Sequence, residues 1–137
     1  MESWRRVWRE GFEPGLTTAG LVALRDALAN DDARLLQGAT MCPPPLMCVQ
    51  DWPVEAADAI GFAVWKGGDL TTVGQVEEGF AKALWEADQR LGEPAACRWF
   101  LNWFDDTPRH QMREELLFEV ERALTERQTP TTAKEKS

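Results

Sequence analysis

Apolar residues recur along this chain at helical spacing, interrupted by clear Gly and Pro punctuation. Trp4, Val7, Trp8 and Phe12 share one face, which predicts a short amphipathic helix over 3–11 that stops at Gly11 and Pro14. The opposite face of that helix carries Arg5, Arg6 and Arg9. Leu21, Leu24 and Leu28 mark a second helix from Thr17 or Thr18 to Asn30. Asp31 or Asp32 caps a further short turn through Leu35 and Leu36, ended by Gly38.

The stretch from Gly38 to Pro53 breaks the pattern. Three consecutive prolines, Pro43 to Pro45, favour an extended path, and Pro53 restricts Trp52 before it. Val54, Ala57, Ile60, Ala63 and Val64 fit a helix, while 60–65 alone reads equally as a short buried strand. Helix is the preferred reading of 54–65, and the fold admits one short β-hairpin near 46–66.

Thr72-Val73-Gly74-Gln75 has the spacing of a capping box, and Val73, Val76, Phe80, Leu84, Ala87 and Leu91 follow one stripe behind it. Gly92 and Pro94 close that helix. Four rings then fall within six residues, Trp99-Phe100-Leu101-Asn102-Trp103-Phe104, in a helix expected over about 95–104. Arg98 and Asn102 are its only polar stripe, so most of its circumference should be covered. Thr107-Pro108 suits the start of a last helix, which buries Met112, Leu116, Leu117, Val120, Ala123 and Leu124. The pattern therefore predicts a mainly α, compact, single-domain helical bundle over 1–127 around the central aromatic helix, with a disordered polar tail over 128–137.

Composition narrows the function classes. The 137 residues can bury a core without staples, and 44% hydrophobic with 28% charged residues is globular rather than disordered. Seven Trp, six Phe and no Tyr give bulk with few polar handles. A net charge of −8 repels phosphates and argues against a nucleic-acid binder. It also admits an acidic inhibitor that mimics nucleic acid on a basic partner. No apolar run is long enough to span a membrane, no leader precedes Trp4, and three cysteines make no disulfide framework. The expected location is the cytoplasm.

Candidate chemistry is sparse. Ser3 and Ser137 are the only serines, and Trp65-Lys66-Gly67-Gly68 lacks the residues that complete a phosphate loop. Cys42, Cys48, Cys97 and His110 would fill a Cys₃His zinc shell, but the spacing is wrong for a knuckle and Cys97 sits among apolar residues. Neither a metal nor another cofactor is expected. Asp106, His110 and Glu114 are spaced i, i+4, i+8, a set that can serve acid–base chemistry or simply helix-end electrostatics. A Cys42–His110 nucleophile–base pair has no local support. Arg98 and Asn102 either face solvent or form a structural polar pair, with Arg98 bound to a carboxylate such as Asp51, Asp105 or Asp106.

Two rings depart from their stripes: Trp85 among Glu78, Lys82 and Gln89, and Phe118 among Glu114, Glu121 and Arg122. They are candidate partner-binding residues, together with the arginine face of the first helix. The preferred function is a non-catalytic protein–protein interaction or regulatory module that binds a protein partner or itself. A small enzyme or metal protein using Asp106, His110 and Glu114 is the alternative.

Overall fold

The computed structural model describes residues 3–44 and 49–128. Its helices are α1 (Trp4–Arg6), α2 (Thr18–Asn30), α3 (Ala59–Gly67), α4 (Val73–Leu91), α5 (Arg98–Asp106) and α6 (Arg109–Gln128). Two short strands, β1 (Met41–Cys42) and β2 (Ala56–Ala57), pair antiparallel. The fold is mainly α with one small sheet.

The first helix is wound differently from expectation. After α1 the chain widens into a π-helical stretch over Val7–Phe12, then tightens into a 3₁₀ turn over Glu13–Gly15. The wide turn puts Val7, Trp8, Gly11 and Phe12 all inside. Gly11 lies against Leu91 and Ala87 of α4, where a Cβ would come within 3.0 Å of the Leu91 side chain. α2 follows its Thr17 cap, packs on both α3 and α6, and buries Leu21, Leu24, Ala27 and Leu28. Gly20 lets α2 approach α3 closely: a Cβ there would lie 2.5 Å from the Ala63 carbonyl oxygen.

The segment 54–65 is helical only from Ala59 onward, and 60–65, which also reads as a strand, lies wholly within α3. Ala56 and Ala57 form β2, and Asp58 then caps α3 by accepting the Gly61 N–H at 2.8 Å. The partner strand lies at Met41–Cys42, before the expected window of 46–66. Pro43 has no N–H to continue the ladder, which ends it there. The capping box at Thr72 and Gln75 forms as the spacing predicts.

The aromatic helix needs two corrections. It starts at Arg98 rather than Ala95, because Asp88 accepts the N–H groups of Ala95 and Cys97 (both 2.8 Å) and holds 93–97 in a turn. Ala95 adopts φ +63° within that turn. The helix is also covered on one side only. Phe100 and Phe104 are buried, whereas Trp99, Arg98 and Asn102 are exposed. Gln37 fastens its C-terminal end by donating to the Phe104 and Thr107 carbonyls at 2.8 and 2.9 Å. Of the tail expected over 128–137, Gln128 instead ends α6, and 129–137 lie outside the described residues.

Candidate functional site

Phe100 is the hub of an aromatic cluster, with Trp4, Trp8, Phe12, Trp103 and Phe104 at centroid distances of 5.4–6.2 Å. Trp4 lies flat on Trp103, 3.6 Å between centroids and 6° between planes. On the outer side of α5, Trp99, Asn102, Trp103 and Asp106 follow i, i+3, i+4, i+7 spacing and so share one face. With Trp4 they line an open hollow of about 500 Å³. Trp99 is 39% exposed, and Asn102 and Asp106 are exposed.

Two further rings stand clear of the core. Trp85 on α4 is 63% exposed and Phe118 on α6 is 62% exposed. Trp85 borders a second hollow with Asp88, Gln89, Glu93 and Pro94. Trp52, in the irregular stretch before Pro53, is 56% exposed. The sequence reading passed over Trp52 and Trp99. Trp99 had a signal, since it shares the solvent-side stripe of Asn102.

No family model, curated protein or solved structure matches this chain.

The remaining candidates are placed as follows. His110 is 80% exposed at its side chain and sits 3.5 Å from Glu114, whose side chain is also largely exposed. Asp106 borders the hollow on α5, and His110 and Glu114 do not line it. Of the four zinc-shell residues, Cys42 is exposed and Cys97 buried. Cys48 lies outside the described residues. Among the described residues no group of three or more His, Cys, Asp or Glu is arranged to hold a metal. Burial pushes the Cys97 thiol up to about 12, with the Asp88 carboxylate adding to the shift, so it is held as an inert thiol. Arg98 and Asn102 face solvent, and among the described residues Arg98 forms no ion pair with Asp105, Asp106 or Asp51. No helix among the described residues is long and apolar enough to cross a membrane.

The arginine face of the first helix is committed within the fold. Glu119 lies on the buried side of α6, between Leu116 and Val120, with its side chain 0% exposed. Arg9 grips it through Nε and Nη2 at 2.8 and 2.7 Å. Arg122 Nε donates to it at 3.1 Å, and Arg5 Nε lies 3.4 Å away. Arg122 also reaches Glu13 at 2.6 Å and Glu126 at 2.9 Å. Burial alone would raise the Glu119 carboxyl, but the hydrogen bonds from Arg9 and Arg122 outweigh it and hold it below its ordinary value. Arg6 pairs with Glu10 at 3.1 Å. This network was missed from sequence, although an acid inside an apolar stripe was its visible sign.

A second buried carboxyl, Asp58, is pushed up to about 7 by desolvation, against the Gly61 and Ile60 N–H groups that favour its charge. The nearby Asp105 carboxylate raises it further. A hollow of about 220 Å³ between α3 and α4 is smaller than the ~300–1,000 Å³ of ordinary ligand pockets. Its charged residues Lys82 and Glu86 lie 3.9 Å apart. The wider hollow by Gln50 and Thr72 is polar, but Gln75 caps α4 and Gln50 Nε2 bonds Glu77 at 2.8 Å.

Proposed function

We propose that the protein is a non-catalytic interaction module, acting in the cytoplasm on a protein partner or on a second copy of itself. The observation that carries this reading is the exposure of Trp85 and Phe118, each above 60%, on long helices whose apolar stripes are otherwise turned inward. Large rings left in water at otherwise polar positions contribute nothing to the core, and such rings dominate the binding energy of protein interfaces. The placement of His110 on open surface, paired among the described residues with an exposed Glu114, supports a binding role over an acid–base one. Net charge favours a protein over a nucleic acid. Many carboxylates, including Glu13, Asp31, Asp32, Glu86 and Glu119, face an arginine of the same chain. That leaves less free acid for a mimic of nucleic acid than composition alone implies.

The test is Trp85→Ala and Phe118→Ala, compared by thermal melting and by sedimentation or affinity capture. Both variants should keep stability within about 1 kcal/mol while self-association or capture of a defined partner weakens tenfold or more, about 1.4 kcal/mol. Unchanged association in both variants would refute the proposal.

A further inference from the structure

We propose that the hollow on the outer face of α5 binds an arginine side chain presented by a partner polypeptide. The site lies apart from Trp85 and Phe118 and does not depend on them.

Four groups converge there with capacity left over. Trp99 is 39% exposed and pairs with no other ring among the described residues. Trp103 is engaged by Trp4 and Phe100 and remains partly exposed. Neither the Asn102 amide nor the Asp106 carboxylate forms a hydrogen bond or ion pair among the described residues. One helix face thus offers two indoles a turn apart, an amide beside the second, and a negative charge one turn beyond it.

The chemistry that fits is flat, weakly hydrated and cationic with several N–H donors. A guanidinium stacks on indole and donates to a carboxylate in the same pose. A lysine ammonium is more strongly hydrated and cannot stack, and an apolar side chain would leave Asp106 and Asn102 unmatched. The cluster already shows the contact in its own fold, since the Arg5 guanidinium lies 4.6 Å over the Trp4 ring. Arg5 does not repel an incoming cation strongly, because Glu119 at 3.4 Å and Glu115 at 4.0 Å balance it. A net charge of −8 adds long-range attraction. The hollow is too open to enclose a small molecule on most sides, so the arginine must arrive on a chain that makes further contacts.

The test is a titration of the full chain with a blocked Gly-Gly-Arg-Gly-Gly peptide, read by the indole N–H resonances in NMR. Matched peptides carry citrulline, lysine or leucine at the central position, and free arginine amide is a separate arm. The arginine peptide should shift Trp99 and Trp103 saturably at about millimolar concentration. It should bind about threefold or more tighter than each matched peptide and than arginine amide. Asp106→Asn should weaken binding about three- to fivefold, and Trp99→Ala about fivefold or more. Both positions are exposed, so the variants should fold, which melting confirms. Glu121→Gln, which removes the same charge from an exposed site on α6, should leave binding unchanged. Equal binding of citrulline or leucine, equal binding of arginine amide, or equal weakening by Glu121→Gln would each overturn the proposal. So would saturable shifts confined to Trp85 or Trp52.

Discussion

Replacing Glu119 by glutamine removes one charge without changing the shape of the side chain. The carboxylate accepts two hydrogen bonds from Arg9 and one from Arg122, with Arg5 close by. A glutamine in the same rotamer keeps one carbonyl oxygen, for example for Arg9 Nε. Its amide group then meets Arg9 Nη2 and Arg5 Nε, donor against donor. Charge-assisted hydrogen bonds contribute roughly 1.5–3 kcal/mol each, so losing one and opposing another removes about 2–5 kcal/mol. The neutral amide is easier to bury, and Arg122 keeps Glu13 and Glu126. Together these offset about 1–2 kcal/mol, leaving a net loss centred on about 2 kcal/mol. For a domain this size that lowers Tm by about 6–8 °C. Denaturant titration and calorimetry measure both quantities, with the exposed Glu121→Gln as control. The pH dependence supplies an independent check. The folded Glu119 carboxyl lies below its ordinary 4.5, so its contribution is complete above that value and is lost as pH falls through the folded pKa. The gap between wild type and Glu119→Gln should therefore narrow on acidification below about pH 4.5. A loss under about 1 kcal/mol, or a gap independent of pH, would refute the reasoning.

Three other outcomes follow from the same structure. Phe100→Ala should cost about 3–5 kcal/mol, because the ring is fully buried among five others, whereas Trp99→Ala should cost about 1 kcal/mol or less; comparable losses by denaturant titration would mean that α5 is covered on both sides. Asp58 carries a folded pKa of about 7 against an ordinary 3.8, so the folded state holds the extra proton and stability falls as pH rises between those values. The fall is at most about 4 kcal/mol and should be absent from Asp58→Asn, measured as the difference between the two proteins at each pH. Gly20→Ala should cost about 1–3 kcal/mol despite the better helix propensity of alanine, since its Cβ would press on the Ala63 carbonyl; an unchanged denaturation midpoint would show that α2 and α3 are not so closely packed.

Local rules made much of the architecture legible in the sequence. The Thr17, Thr72 and Gly92 boundaries need only residues within a few positions of one another, and the spacings at 21–28 and 112–124 identify buried faces without knowledge of what covers them. Asp58 shows where that logic stops being sufficient: its capping role is local, but its displaced pKa comes from burial by distant parts of the chain. The exposed positions of Trp85 and Phe118 were visible as breaks in a stripe. The fate of the arginine face was not, because Arg9 and Glu119 lie 110 residues apart and a cationic helix face reads the same whether it meets water or a carboxylate. The aromatic helix misled for a similar reason. Its sequence is apolar almost all round, and only the packing of the N-terminal segment against Phe100 and Trp103 decided which side was buried and which kept Trp99 and Asp106 in water. Periodicity and capping are short-range and written into neighbouring residues; charge pairing and the choice of covered face depend on contacts that exist only once the chain has closed on itself.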